Sequence, residues 1–445
     1  MSTQLQETFA LELLGPDDFR VFQRQNGQLR AVLGCGLGIA LIDRGAGVGG
    51  MLHLLGKALE STESCEGMLD RFLDELESNG ARSEHLEGLI TGGAELGGVS
   101  LSLSEEPGTL LSSRLLELLR QRQLPPLSWE TGGNRGYRLE LDMESLDFRS
   151  SLIHTEPEAE LVDPRAADSA FCLQDALQQI KPIPQIALET LAILANDSYS
   201  MKELAACVHK DQVITARVLG WCNAAGVVGG HEVSNLDAAL VRMGEKKLIR
   251  LILAATLSGY FVDQDTGYAQ SRGGLFHGAL ACAAITSELA HLLAPELSRI
   301  AYTAGLLHDI GKVVLDHHVC RVAPEFYRVL RDEQSLLAAE AKVIGITHPE
   351  AGEKLALEWE LAEPLVQAVR WHHEPRKATE HGDLCTLVCL SDWLSRILWE
   401  GQQPWMAQEM ELTTLLARFG MSPNALPTLL SALPLREIHR QVMLS

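Results

Sequence analysis

In "AYTAGLLHDIGKVVLDHH" a histidine and an aspartate, His308 and Asp309, sit side by side, and Lys312 follows three residues on. Imidazole nitrogens and carboxylate oxygens together suit manganese, iron, zinc or magnesium. The same donor types recur in "GGLFHGALACAA" (His277), "GITHPEAGEKLA" (His348), "VRWHHEPRKA" (His372 and His373) and "VCLSDWLSRIL" (Asp392). His277, Asp309 and Asp392 lie in apolar surroundings, where an unpaired ionised carboxylate is costly, so some partner has to compensate the charge. One solution is a pair of divalent ions bridged by Asp309. Such ions lower the pKa of a bound water, and the hydroxide attacks a phosphorus held by the metals and by Lys312. The other solution is a polar cluster inside a helical bundle, satisfied by hydrogen bonds among these groups and to helix ends. His317 and His318 are then ordinary surface residues. The spread of donors over five segments is what sets the metal reading beside the structural one.

Positioning these donors falls to helices. From Ser169 to the end the chain reads as an all-α, HD-type bundle of helix after helix, with no strand-rich interval. "KPIPQIALETLAILAND" carries an apolar stripe at Leu188, Leu191, Ala192 and Ala195. Ser200 with Glu203 and Ser234 with Asp237 form capping boxes, and Gly244 separates two helices as a left-handed cap. "SMKELAACVHKDQVITARVLGWCNAAG" has the rhythm of a helix-turn-helix, but Arg217 is the only basic side chain on its second helix, so a packing hairpin is expected.

The first 148 residues differ. They are rich in glycine and in short β-type runs, "RAVLGCGLGIALIDR", "EGLITGGAELGGVSLSL" and "GYRLELDMESLDF". A helical stretch lies between the first two, within Met51 to Gly80, and the mixture predicts an α/β domain. Residues 149–168 are acidic, contain two prolines and lack periodicity, as an exposed linker would. The expected organisation is therefore 1–148, a linker at 149–168, and a helical domain at 169–445 that ends in a helical extension.

The 445 residues exceed one ordinary core. A hydrophobic fraction of 46% with 22% charged residues is globular, and the net charge of −22 disfavours nucleic acid or an anionic membrane surface as partner. Nine cysteines without a C-x-x-C pair fit a reduced, cytoplasmic protein. The run "LIRLILAATLSGYF" is shorter than the roughly 20 residues a bilayer requires, so no membrane insertion is expected.

Four segments in succession, "FCLQDALQQIKPIPQIALETLAILAND", "MKELAACVHKDQVITARVLGWCNAA", "VSNLDAALVRMG" and "AYTAGLLHDIGKVVL", resemble an HDOD domain, the HD-related output domain of bacterial signalling proteins. The resemblance covers about residues 170 to 400. It implies a regulatory module related to HD-type phosphohydrolases. It also implies a metal-ligand set at His277, His308, Asp309, His348, His372, His373 and Asp392. As far as "HHEP" the pattern is similar to cyclic-di-GMP phosphodiesterases of the HD-GYP group, but "PRKATEHGD" follows where that group has Gly-Tyr-Pro.

Over residues 10 to 148, "AVLGCGLGIALIDRGAGVGGMLHLLG", "LITGGAELGG" and "GGNRGYRLELD" resemble the chemoreceptor glutamine deamidases, CheD-like, with their layered α/β sandwich. In that family a cysteine attacks the side-chain amide and a histidine acts as base. His53 matches the histidine, whereas Gly36 falls at the nucleophile, Ala31 at an upstream threonine and Cys35 at a serine. On a regular strand Cys35 would point away from His53. A bulge at Gly34 and Gly36 would turn it inward.

The resulting expectation is a cytoplasmic bacterial signal-transduction protein whose CheD-like sensing or docking domain has lost its chemistry and is joined to an HDOD output domain. Its partner would be a signalling protein or chemotaxis component, with a nucleotide as a further ligand. The alternatives are a metal-dependent phosphohydrolase acting on a nucleotide or cyclic dinucleotide, in which Lys312 is catalytic, and a chemoreceptor glutamine deamidase, in which His53 is.

Overall fold

The computed structural model describes residues 11–94, 107–122, 124–125, 127–133, 136–152, 171–180, 187–188, 190, 208, 212–224, 235, 238–239, 244–261, 267–268, 274–333, 335–400 and 412–443. Most of the expected linker, the stripe after Leu188 and both expected capping boxes lie outside them. Contacts divide the chain into two units, one of residues 1–154, 396–404 and 421–439, the other of 155–395, 405–420 and 440–445.

The first unit is α/β. Its strands are β1 (Leu11–Leu14), β2 (Asp18–Gln23), β3 (Gln28–Leu33), β4 (Leu37–Asp43), β5 (Val48–Leu54), β6 (Glu87–Gly92), β7 (Ser128–Thr131), β8 (Tyr137–Asp142) and β9 (Phe148–Leu152). They form two sheets, ordered β1-β3-β8-β9 and β2-β5-β4-β6-β7. β4, "LGIALID", and β5, "VGGMLHL", are buried at every position. Such runs need cover on both faces. One cover is the helix Thr62–Ser78, whose Phe72 ring lies 2.8 Å from where a Cβ on Gly50 would stand. The other is the opposite sheet, where Leu139 of β8 lies 2.8 Å from a Cβ on Gly38. Leu29, Leu33, Leu139, Leu141, Ile42 and Met51 form the core between the sheets, each buried aliphatic side chain contributing about 1.5–3 kcal/mol.

Three sequence expectations change in detail. The run "RAVLGCGLGIALIDR" is two strands in different sheets, because Gly34–Gly36 make a bend at which the chain changes sheet. Met51–Leu54 belongs to β5, and the long helix starts at Thr62, where the Ser61 hydroxyl accepts from the Ser64 amide at 3.0 Å. Arg149–Leu152, expected in the linker, complete β9, paired with β8.

The second unit is helical. The site is carried by Ala301–Leu307, Ile310–Arg321, Leu336–Val343, His348–Glu358, Glu363–Trp371 and Gly382–Ser395. Thr347 and Glu350 form a capping box at the start of the fourth. Two glycines set the approach of the helices. A side chain on Gly311 would run into the His348 carbonyl, and the Gly311 amide nitrogen lies 3.1 Å from where a Cβ on Gly352 would stand. Gly244 opens Glu245–Leu257 with φ +79, a conformation that favours glycine. Arg217 donates to the Ser258 hydroxyl at 2.7 Å, while the first helix of the expected hairpin lies almost wholly outside the described residues. Gly274–Leu293 has the length and apolarity of a membrane span, and 67% of its most apolar window is buried inside the protein.

Candidate functional site

His308 follows the last residue of Ala301–Leu307, and Asp309 is the N-cap of Ile310–Arg321. The Asp309 carboxylate is thus held at a junction between two helices, with its two oxygens facing different neighbours. Oδ2 lies 3.3 Å from His308 Nε2 and 2.5 Å from Lys312 Nζ. Oδ1 lies 3.2 Å from His348 Nε2 and 3.5 Å from His372 Nε2. Asp392, on Gly382–Ser395, brings Oδ1 to 3.3 Å from His308 Nε2. His348 and His373 approach through their Nε2 atoms at 3.0 Å. Among the described residues, two groups therefore offer converging donors within 4.8 Å: Asp309, His348, His372 and His373; and His308, Asp309 and Asp392. Asp309 belongs to both.

The far side of each buried ring is anchored. His308 Nδ1 meets the Gly305 carbonyl at 2.8 Å, His372 Nδ1 the Val369 carbonyl at 2.8 Å, and His348 Nδ1 the Glu340 carboxylate at 2.8 Å. These acceptors place the proton on Nδ1 and leave the Nε2 lone pairs aimed at Asp309. Lone pairs at 3.0–3.5 Å repel unless a proton or a cation lies between them. Asp309 Oδ1 and His372 Nε2 are moreover buried without a hydrogen bond, since the 3.5 Å between them lacks hydrogen-bond alignment. The donor set fits a divalent cation.

Electrostatics agree. Burial opposes charge on Asp309, but His308 and Lys312 outweigh it and hold the carboxyl well below the usual range. Burial likewise opposes a proton on His308 and His348, yet Asp309 raises the first and Glu340 with Asp309 the second. His372 is pushed down to about 4 by burial. The same carboxylates thus favour protons on His308 and His348, which a cation held there would have to displace.

His277 joins neither group. It lies half-buried on Gly274–Leu293. Lys312, expected as a phosphate-holding cation, pairs with Asp309 itself. Glu340 was not singled out from sequence. It is fully buried, accepts from the His348 amide and ring, and takes the Tyr268 hydroxyl at 2.7 Å. Its only sequence signal is one carboxylate in "SLLAAEAKVIG", eight residues before His348. Beside His373 opens a cavity of about 520 Å³ lined by Thr347, Glu350, Arg370, Glu374 and Lys377.

In the first unit, His53 on β5 is paired across the sheet with Asp18 of β2 and Gly38 of β4. It is fully buried, and neither ring nitrogen has a hydrogen-bond partner, although the Leu14 and Gly15 backbone lies beside it. Burial and the nearby His439 push its pKa down to about 3. A Cβ built on Gly36 would lie 2.8 Å from His53 Nε2 and 2.9 Å from the Leu54 carbonyl. The histidine fills the space that a side chain at position 36 would need. Cys35 is buried in the bend between β3 and β4.

The HDOD domain family matches residues 180–375. A Rhizobium johnstonii protein provisionally described as chemoreceptor glutamine deamidase CheD is 30% identical over 131 residues, 28% of this chain and 69% of that protein. The chain is a CheD homologue carrying an HDOD domain. A Treponema pallidum protein of uncharacterised function is 25% identical over 247 residues, and the aligned part spans 46% of that relative. A Marinobacter aquaeolei structure, given a provisional role in signal transduction, shares the fold with TM-score 0.50 at 21% identity, over 62% of each chain. HDOD and CheD-like regions thus coincide with the helical and the α/β part of the chain.

Proposed function

We propose that this HDOD protein is a cytoplasmic signal-transduction protein whose CheD-like unit binds a signalling or chemotaxis partner without deamidating it, and whose HDOD unit responds to metal occupancy by changing its helix packing. The observation that carries this reading is His53 standing in the space of a side chain at Gly36, where the family keeps its nucleophile. Nucleophilic catalysis needs a thiol within hydrogen-bond reach of its base. Asp309, His308, His348, His372, His373 and Asp392 would hold the cation. A metal so held would supply Lewis acidity and an activated water. The side chains themselves fix orientation: Glu340 aligns His348, and Lys312 neutralises Asp309. Purified protein incubated with a chemoreceptor fragment is expected to leave its glutamines intact by mass spectrometry. Deamidation that disappears on Cys35→Ala would overturn this.

The second reading, a metal-dependent phosphohydrolase acting on a nucleotide or cyclic dinucleotide, is favoured by the cavity beside His373 with Arg370 and Lys377 at its wall. Against it, Arg370 is paired with Glu350 and Glu353, and Lys377 with Glu374. Incubation with manganese or iron and cyclic di-GMP is expected to give no product above an Asp309→Ala control.

A further inference from the structure

The amino-terminal unit is completed by a segment from the other end of the chain. The helix Leu426–Ala432 packs against the short helix Gly56–Glu60. The Leu430 carbonyl lies 2.9 Å, and the Leu435 side chain 3.0 Å, from where a Cβ on Gly56 would stand. Arg436 pairs with Asp18. His439 covers Gly15 so closely that no side chain fits there, and it stands near enough to His53 to lower the pKa of that ring. Gly15, Asp17, Asp18, Leu55 and Gly56 therefore make a surface beside His53 that lacks side chains where a helix backbone must approach and is acidic where a basic residue must sit. Asp17 fixes its shape by accepting from the Leu55 amide at 2.9 Å.

The occupant fits by chemistry that another helix could reproduce. Leu435 and Ile438 are buried and three residues apart, while Arg436 and Glu437 between them are exposed. Helices of 7 and 9 residues do not persist alone in water, so this segment is ordered by what it docks on. The Arg436–Asp18 pair is partly exposed and adds at most about 1 kcal/mol. The segment's hold comes mainly from burial of Leu426, Leu429, Leu430, Leu433, Leu435 and Ile438, an apolar face that an exchanging helix has to match, and the covalent tether adds an effective concentration in the millimolar range.

We propose that this surface is a helix-docking site, held in the resting protein by Leu426–His439, which accepts in exchange an amphipathic protein helix with apolar residues at i and i+3 and a basic residue at i+1. This rests on the reading of the CheD-like unit as a binding module.

The test uses the full-length chain and a fluorescein-labelled synthetic peptide of residues 421–443. Leu435→Asp with Ile438→Asp in the full-length chain should vacate the surface, so the peptide should bind that variant at least ten-fold more tightly than the wild type. Adding Asp18→Arg should weaken binding several-fold, and an Arg436→Asp peptide should recover it. Equal binding to wild type and vacated variant, or binding to neither, would overturn the proposal. If the double variant does not melt cooperatively, Arg436→Asp alone replaces it. Hydrogen exchange across residues 53–58 should then rise several-fold with residues 301–321 unchanged, and unchanged exchange at 53–58 would equally overturn it. Peptide binding is read without any receptor substrate. A wild type that deamidates would therefore refute the non-catalytic reading while leaving the docking result intact.

Discussion

Gly311 lies against the backbone carbonyl of His348 with no room for a side chain between them. This contact sets how near the Asp309 end of one helix comes to the His348 end of another, and so the distance between two donors of the proposed metal site. Gly311→Ala is expected to cost about 1–3 kcal/mol by overpacking and to lower bound metal well below that of wild type. Thermal unfolding and metal analysis of protein purified without chelator check both. Full metal content in that variant would refute the link between this contact and the site.

His308→Ala and His277→Ala should part company in the same analysis. The first removes a donor facing both Asp309 and Asp392, and metal content should fall; the second should leave it unchanged. Equal loss in both would restore His277 to the ligand set.

Glu340→Gln keeps the shape of the side chain but removes the charge behind His348. Metal affinity should fall by about 10–100-fold, the usual effect of losing a partner that orients a ligating histidine. Competition against a chelating indicator measures it, and an unchanged affinity would exclude the positioning role.

The neutral His53 ring contributes stability that is fully present above its unfolded pKa, near 6.5, and is lost as pH falls toward the folded value of about 3. Each unit between those limits corresponds to about 1.4 kcal/mol. Urea midpoints at pH 7 and pH 4.5 should therefore differ less in His53→Gln than in wild type. His439, also held low by burial, supplies some of the remaining slope. The same pH dependence in both proteins would show that His53 is not buried in its neutral form.

Gly36→Cys should not simply revive a deamidase. The new Cβ meets His53 Nε2 and the Leu54 carbonyl, so the ring or β5 must shift at a cost of about 1–3 kcal/mol. A lowered melting temperature without deamidation is expected. Activity gained by this one substitution would mean that His53 moves freely.

His308, Asp309 and Asp392 are legible as candidates because each puts a polar donor into an apolar helical run, and His348, His372 and His373 because their donor type and order match the HD-type pattern. His277 shares the first property and still stands apart. Sequence spacing does not say which face of a twenty-residue helix meets a partner, and here that face carries Cys282, whose thiol reaches toward the Val388 carbonyl of Gly382–Ser395. Glu340 escaped notice because an isolated glutamate on a helix is ordinarily solvated, and only the distant Tyr268 and His348 make it an acceptor. The division into α/β and all-α parts was readable from period and glycine content. That Gly34–Gly36 is a crossover between sheets was not, because two buried strands in succession look like one long apolar run.

The participation of residues 421–439 in the amino-terminal unit imposes an order on biosynthesis. A nascent chain exposes the nine described strands early, but the segment that covers Gly15 and Gly56 emerges only after roughly 280 further residues have been made, a delay on the order of 15–60 s at ordinary translation rates. During that interval the surface beside His53 is uncovered in every newly made molecule, and the helical unit is synthesised before the α/β unit can close. A ribosome stalled after residue 395 would therefore present the CheD-like unit in an open form without any displacing partner.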